Sequence, residues 1–209
     1  KNTISKLLDT KIKNMLSLKD SLVVLKKTNA LLEGHFILSS GLHSPMYVQC
    51  AKLLSHPSLA SKICVSLSKK IKKEIKNFDL ILSPAMGGII VGYEIGRLLN
   101  KETIFCERVT GKFNLRRGFN IKKNSKVLIV EDVITTGKSS LECVRLIKKY
   151  NAKIVGFACI IDRSDKKSLK IKKKIISQVK IKIPTFKKKN LPISLKNLPI
   201  SVPGSRKLI

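Results

Sequence analysis

Three short apolar runs without polar alternation organise the middle of the chain. They cover residues 80–82, 127–130 and 154–161, and residues 103–106 add a further candidate strand. Helical spacing of apolar residues occupies 89–100 and 139–150 between them. Continuous apolar runs of this length are typical of strands buried on both faces of a parallel sheet. The alternation predicts an α/β fold, a parallel-sheet core with helices on both faces and ligands at the carboxyl ends of its strands.

The N-terminal part of the chain has a different pattern, which predicts a helix, a hairpin and a second helix. Ser17 to Asp20 form a helix start, and apolar residues at helical spacing continue it as far as Gly34. We predict strands at His35–Ser40 and Met46–Cys50, joined by a turn rich in glycine, serine and proline. A long helix then runs from Pro57 to about Phe78.

The two ends of the chain are rich in lysine. Residues 1–16 are also poor in acids, which leaves two interpretations, a transit peptide or an ordinary helical extension, and we favour the extension. The tail from Asp165 is punctuated by four prolines, and we expect it to wrap the surface or to join the first helix and hairpin in a cap. The predicted organisation is an extension over 1–16 and a single domain over 17–209, with a hood at about 17–56 plus part of the tail and a core at about 57–164.

The formal net charge of +30 has three possible meanings. Clustered lysines could bind nucleic acid, they could fill solvated faces, or their field could gather polyanionic small substrates. In residues 68–76 the lysines fill the polar side of a predicted helix whose other side is apolar, so we disfavour nucleic-acid binding. Charge alone does not choose between the other two meanings.

Membrane, disulfide and zinc chemistry are all disfavoured by the sequence. No uncharged apolar run reaches the ~18 residues that a membrane span needs. The five cysteines form no CxxC pair, and the three histidines lack metal-ligand spacing. We therefore expect a soluble, cytoplasmic protein with reduced cysteines.

Residues 126–142 carry the strongest chemical signal. Two acids, Glu131 and Asp132, follow the apolar strand Val127–Val130 in a chain that has only 13 acidic residues. A hydroxyl-rich loop over 135–139 comes next, and Ser139 with Glu142 predicts a capping box that opens a helix. A strand, a tight loop and a helix N-terminus together form an anion cradle, although an ordinary capped turn has similar signals. A Walker A loop is excluded because Asp132 stands where that motif needs glycine.

Four segments resemble known enzymes. Residues 127–140 resemble the phosphoribosyl pyrophosphate signature of type I phosphoribosyltransferases, a motif that is specific for the fold but not for the base. Residues 36–47, 83–88 and 162–163 resemble the hood hairpin, the pyrophosphate loop and the base-contacting arginine of the orotate phosphoribosyltransferases. The resemblance extends from about residue 18 to residue 206, with its segments in the family's order.

This resemblance implies a type I phosphoribosyltransferase fold and the transfer of ribose 5-phosphate to orotate. It implies Mg²⁺ held mainly by phosphoribosyl pyrophosphate and water, and a homodimer in which the loop after Glu107 serves the neighbouring subunit. The implied catalytic residues are Lys112, Asp132 and Glu131, and the implied orotate-binding residues are Thr135, Arg163, Tyr47 and Val48. The implied binding residues for phosphoribosyl pyrophosphate are Arg108, Lys112, Met86, Gly87, Glu131, Asp132, Val133, Ile134, Thr135, Thr136, Gly137, Lys138 and Ser139.

The chain also departs from this family's pattern. Gly87, Val109 and Ser39 stand where lysines are usual, and Asn114 stands where histidine is usual. Arg116 and Arg117 are candidates for the replacement charge. Gly88, Gly92 and Gly96 recur every four residues, which favours close helix packing over a dinucleotide fingerprint. Two alternatives stay open, a purine phosphoribosyltransferase and a nucleic-acid-binding regulator on the same fold.

Overall fold

The first elements of the protein form a small hood. The computed structural model describes residues 15–38, 40–164 and 173–203. Ser17 caps helix α1 (Leu18–Lys27), because its hydroxyl accepts a hydrogen bond from the Asp20 amide, which confirms the predicted start. An antiparallel hairpin follows, made of β1 (Leu31–Ile37) and β2 (His43–Val48). The short α2 (Cys50–Leu54) and the long α3 (Pro57–Glu74) lead from this hairpin to the core.

Helix α1 ends earlier than its sequence pattern predicted. The predicted end was Gly34, but the helix stops at Lys27 and Asn29 adopts a left-handed φ of 54°. The Thr28 hydroxyl donates to the carbonyls of Val24 and Leu25 and so satisfies the end of the helix. Gly34 instead lies inside β1, at an irregularity in the register with β2. The hairpin strands are therefore shifted towards the N-terminus, and Ser39 lies outside the described residues.

The core is a six-stranded sheet. In chain order its elements are β3 (Leu80–Pro84), α4 (Gly87–Leu99), β4 (Glu102–Val109), β5 (Lys112–Asn114), β6 (Lys126–Ile134), α5 (Lys138–Lys149), β7 (Lys153–Asp162) and β8 (Ile175–Lys180). The strand order is β5-β4-β3-β6-β7-β8, and every pair except the antiparallel β4–β5 is parallel. The alternation predicted from sequence is confirmed, and the strands extend up to four residues beyond their predicted ends, except at the start of β3, which is Leu80 as predicted.

Strand β8 was missed by the sequence interpretation. It pairs in parallel with β7 and buries Ile176 and Val179, although it lies in what was predicted as a surface tail. Residues 165–172 of that tail lie outside the described residues. Further along, a 3₁₀ turn (Lys188–Asn190), α6 (Ile193–Lys196) and β9 (Ile200–Ser201) return to the hood, where β9 pairs in parallel with β1.

The sheet separates two apolar clusters, one on each face. Leu128 and Val130 of β6 pack into the cluster with α3 and α4, whereas Val127 and Ile129 pack into the cluster with α5. Both faces of β6 are therefore buried, as its unbroken apolar run predicted. None of the helices in the described ranges combines the length and the apolar character that crossing a membrane requires.

Helix α4 packs very closely on the sheet through its glycines. A Cβ at Gly92 would overlap the side chain of Ser83, and one at Gly96 would overlap Thr103. At Gly88 it would come within 3.1 Å of the Val130 carbonyl oxygen. The predicted packing role of the three glycines is confirmed, and this close approach brings the N-terminus of α4 to the end of β6.

Candidate active site

The two acids of β6 point to opposite faces of the sheet. The strand does not stop at Val130, as the sequence suggested, but continues through both acids to Ile134. Successive side chains of a strand alternate between its faces. Glu131 faces α5, where Ser140 donates a hydrogen bond to it, and the carboxylate of Asp132 faces α4, where it lies against Gly87. Residues adjacent in sequence thus serve two sides of one site.

Glu131 is buried, with only 7% of the residue exposed. Burial raises its pKa from 4.5 to about 7, and the neighbouring charges of Asp132 and Glu142 act in the same direction. The hydrogen bond from the Ser140 hydroxyl opposes this change by stabilising the ionised form. Near neutral pH the Glu131 carboxyl group therefore occurs in both its protonated and its ionised form. Sequence reasoning missed Ser140, because the contact depends on the packing of α5 against β6.

Asp132 is held in a similar way. The Val133 amide donates to its Oδ1 at 2.9 Å. Burial raises the pKa of Asp132, and backbone hydrogen bonds lower it in part. Among the described residues no ion pair reaches either acid. Both carboxylates are therefore available to hydroxyl groups or to a cation that arrives with a ligand.

The loop between β6 and α5 has the form of an anion cradle. Gly137 adopts a left-handed φ of 71° and caps α5, which begins at Lys138. Thr135, Thr136 and Lys138 are exposed, Val133 and Ser139 are half-buried, and Ile134 is buried. The first amides of α5 are thus turned towards an open loop, where an anion is stabilised by free N–H groups and by the helix dipole.

The predicted capping box is wrong. Because Gly137 is the N-cap, Ser139 lies within the helix and not at its cap, and α5 has no side-chain cap. Glu142 instead forms an ion pair with Arg108, with 2.6 Å between the Oε2 and Nη1 atoms. Sequence reasoning could not find this pair, since its residues lie on elements that meet only in the folded chain.

A second loop, over Ser83–Gly88, lies beside the acids. Met86 is 81% exposed and Gly87 is the first residue of α4. The N-terminus of α4 has no side-chain cap. A second set of helix amides is therefore presented at the carboxyl ends of the strands, next to Asp132.

The cation-rich segment after Glu107 is a β-hairpin of β4 and β5. Thr110 and Gly111 form its turn with positive φ values of 47° and 79°. Arg108 donates to the Gly111 carbonyl at 2.8 Å and lies 4.2 Å from the centre of the Phe113 ring. Lys112 is exposed and forms no ion pair with Glu131 or Asp132 in the described part of the chain. Among the described residues, the hairpin therefore reaches α5 through the pair of Arg108 and Glu142 but forms no ion pair with the two acids of β6.

The other cations of this segment pair with Glu107. The Nε atoms of Arg116 and Arg117 lie 3.8 and 3.3 Å from Glu107 Oε1. Both arginines are about 60% exposed, and exposed pairs of this kind contribute only about 0–1 kcal/mol. The guanidinium groups are thus held loosely enough to be recruited by an anion.

Arg163 and Tyr47 meet where the core adjoins the hood. The Arg163 amide donates to the Ile134 carbonyl at 2.8 Å, which fixes this residue beside the end of β6. Its Nε is buried without a hydrogen-bond partner among the described residues. Burial lowers the pKa of Arg163, and nearby Tyr47 acts in the opposite direction. Tyr47 packs against Phe36 in the hairpin, with 5.8 Å between ring centres, and Val48 is half-buried beside it.

Comparison with known proteins gives a consistent result. Residues 51–196 match the model of the phosphoribosyl transferase domain family. The chain is 48% identical over 182 residues to the orotate phosphoribosyltransferase of Parvibaculum lavamentivorans, which covers 87% of this chain and 93% of that protein.

Two solved structures share the fold. The orotate phosphoribosyltransferase of Francisella tularensis superposes with a TM-score of 0.59 at 25% identity, covering 76% of this chain and 84% of that one. The adenine phosphoribosyltransferase of Thermoanaerobacter pseudethanolicus gives a TM-score of 0.56 at 16% identity, covering 65% and 88%. The fold is therefore shared by enzymes named for different bases.

The pKa of Glu131 predicts a specific dependence of stability on pH. The folded-state pKa lies above the ordinary value, so the folded protein binds more protons than the unfolded chain between about pH 4.5 and 7. The contribution of Glu131 to the free energy of unfolding is fully present below that pH window and is lost as the pH rises through it. We expect the free energy of unfolding of Glu131→Gln, relative to the unchanged protein, to rise by roughly 2–3 kcal/mol between pH 5 and pH 8.

Urea unfolding at one fixed protein concentration measures this difference. Glu102→Gln, a change at an exposed carboxylate, is the matched control and should show a difference that does not vary with pH. A constant difference for Glu131→Gln would contradict the prediction.

Proposed function

This chain belongs to the orotate phosphoribosyltransferase family, and we propose that its activity resides at the carboxyl ends of β3, β6 and β7. The enzyme transfers ribose 5-phosphate from phosphoribosyl pyrophosphate to orotate. The products are orotidine 5′-phosphate and pyrophosphate, and the reaction is a step of pyrimidine nucleotide biosynthesis. The observation that carries the choice of site is the guanidinium of Arg163, whose buried Nε has no hydrogen-bond partner among the described residues and whose amide donates to the Ile134 carbonyl at the end of β6.

Arg163 supports the proposed choice of base. Orotate differs from uracil by a ring carboxylate, and a guanidinium binds a carboxylate through two parallel hydrogen bonds. A buried donor without a partner is costly, and an anionic ligand removes that cost. We propose that Tyr47 packs on the pyrimidine ring, that the Val48 backbone contacts it, and that Thr135 closes its other side.

The two helix N-termini support a divided site for the second substrate. We propose that residues 135–139 hold the 5-phosphate at α5 and that Met86 and Gly87 hold the pyrophosphate at α4. The carboxylates of Glu131 and Asp132 accept hydrogen bonds from the ribose hydroxyls between them, with Val133 and Ile134 forming the floor. Each carboxylate has its own face of β6, so one ribose can be gripped from two directions.

The reaction breaks the bond between C1 of the ribose and a pyrophosphate oxygen and forms a bond between C1 and a ring nitrogen. The electron pair of the broken bond leaves with the pyrophosphate, so charge develops on that group in the transition state. Cations that are preorganised there stabilise the transition state more than the bound substrate. We propose that Arg108 and Lys112 have this role, with the positive field of the +30 chain assisting the capture of the polyanion.

Mg²⁺ is proposed as a companion of the pyrophosphate group. The described residues offer no group of three metal-ligating side chains, and one oxygen of each acid is already hydrogen-bonded. This donor set fits an ion that would keep most of its waters and bind substrate oxygens, and Asp132 Oδ2 would accept hydrogen bonds from those waters. Such an ion would neutralise part of the charge on the leaving group.

We propose a homodimer in which each hairpin completes the neighbouring site. Two observations support it. In the described part of the chain the hairpin forms no ion pair with Glu131 or Asp132, and α4 has an exposed apolar stripe beside the site, formed by Met86, Ile90 and Tyr93 at helical spacing. A second copy that covers this stripe would stand next to Asp132. The five buried free thiols support the further proposal that the protein works in the reducing cytoplasm.

The first experiment tests the function through Arg163. We expect Arg163→Ala to lower kcat/KM for orotate about tenfold to hundredfold, because a charged hydrogen bond in a partly dry site contributes about 1.5–3 kcal/mol. The trace activity with uracil should barely change, because uracil lacks the carboxylate. Steady-state turnover with both bases, and with adenine and guanine as controls, measures the ratio. An equal loss for orotate and uracil would assign Arg163 to the fold or to the ribose phosphate.

The second experiment tests the shared hairpin. Asp132→Asn should lower turnover by roughly two orders of magnitude, and Lys112→Ala should depress kcat and kcat/KM together. Mixed and re-equilibrated, the two inactive variants should regain activity, because one site in each hybrid dimer would have both residues. Absence of any recovery in verified hybrids would contradict the shared site. If Lys112→Ala raised only the KM for orotate, Lys112 would be assigned to orotate and not to the pyrophosphate.

The third experiment tests the apolar stripe. Ile90→Asp should shift the protein from dimer to monomer in sedimentation velocity and lower its activity, because an unpaired charge in a buried interface is strongly unfavourable. Val23→Asp is the matched control, since Val23 is 57% exposed and Ile90 is 55% exposed, both on helices. A dimer that tolerates Ile90→Asp would place the interface elsewhere.

A further inference from the structure

The contact between Gly87 and Asp132 leaves no room for a side chain. An ideal Cβ built on Gly87 would lie 2.6 Å from Asp132 Oδ2 and 2.8 Å from both Cγ and Oδ1. Cβ atoms in proteins essentially never approach other heavy atoms closer than 3.0 Å. All three atoms of the carboxyl group fall below this limit, so the flat face of the group rests on the bare Cα. Gly87 has an ordinary helical backbone, so its glycine is not explained by a left-handed conformation.

Asp132 has little freedom to move away from this position. Its main chain is fixed in β6, where the neighbouring residues Glu131 and Val133 pair with Cys159 and Ile161 of β7. The side chain is short, and its Oδ1 accepts the Val133 amide at 2.9 Å. A displaced carboxylate would have to change its rotamer and lose that hydrogen bond. The methyl group of an alanine at position 87 would force that change.

From this geometry we propose that Gly87 is a positioning residue for Asp132. Because the first residue of α4 has no side chain, the carboxylate of Asp132 has room for the rotamer that presents it to the ligand between the two helix N-termini. The proposal rests on the proposed function of Asp132, but the contact itself is a property of the fold. Any side chain at position 87 therefore disturbs catalysis through Asp132 and not through the pyrophosphate loop alone.

A double-mutant cycle between positions 87 and 132 tests the proposal. Gly87→Ala should lower kcat/KM for phosphoribosyl pyrophosphate at least tenfold in the unchanged protein. In the Asp132→Ala protein, which has no carboxyl group to displace, only the contribution of position 87 to the pyrophosphate loop remains, so the same change should cost several-fold less than in the unchanged protein. Such non-additivity is the signature of residues that act through each other. Equal losses in the two backgrounds would overturn the proposal, as would a Gly87→Ala enzyme with unchanged kcat/KM.

The same cycle measured by thermal unfolding separates the contact from the activity. Gly87→Ala should lower the Tm of the unchanged protein but should leave the Tm of the Asp132→Ala protein almost unchanged. If Gly87→Ala alone folds poorly, recovery of folding in the double variant with Asp132→Ala still tests the proposal. If the unchanged protein had no activity with orotate while Gly87→Ala and Asp132→Ala were still coupled in Tm, the proposed function would be refuted but the contact between the two residues would stand. Additive Tm changes would refute the contact.

Gly92→Ala is the matched control for this cycle. It adds the same methyl group to the same helix, but the overlap there is with Ser83 and not with Asp132. It should lower the Tm by the same amount with and without Asp132→Ala. Coupling of Gly92 to Asp132 as strong as that of Gly87 would mean that α4 shifts as a whole, which would also overturn the specific role of Gly87.

Discussion

The strict alternation of side chains along β6 is the constraint on which the whole site depends. The strand lies between β3 and β7 with helices on both faces, so its apolar residues divide between two clusters. The alternation continues where the apolar run stops, and it sends Glu131 towards α5 and Asp132 towards α4. Each helix N-terminus thereby acquires one acid. A ligand that has two hydroxyl groups with a phosphate group on either side of them matches this arrangement of two acids and two helix N-termini.

The same arrangement explains why buried acids occur in such a basic chain. Glu131 and Asp132 are kept away from the lysines of the surface, and burial raises the pKa of both. Hydroxyl donors or a cation that enter the site would favour the ionised form of both acids. Arg163 has the complementary need, because its buried Nε has no hydrogen-bond partner among the described residues. The site therefore offers binding energy to groups of both signs.

Sequence reasoning succeeded where one local pattern determined the outcome. The buried strands were predicted within a few residues because burial on both faces leaves an unbroken apolar run, and the glycines of α4 were predicted from their spacing. It failed where two local signals competed or where the cause was tertiary. Asn29 ended α1 before Gly34 could, Gly137 displaced the capping box, and β8 was hidden in a lysine-rich segment at the edge of the sheet. The sequence interpretation named Gly87 as a binding residue and as a departure from the family pattern but did not predict its contact with Asp132, because that carboxylate lies on a distant strand.

The pairing of β9 with β1 has a consequence for how the protein is made. His35 pairs with Ile200, so the ribosome adds the second partner 165 residues after the first (200 minus 35). The six-stranded core can assemble as soon as β8 has emerged, but the hood keeps an unpaired strand edge until β9 follows it. Unpaired edges of this kind invite association with other nascent chains. Slow synthesis of the stretch between β8 and β9 would therefore lengthen the interval in which the hood lacks β9, while the strands that carry the proposed site are already in place.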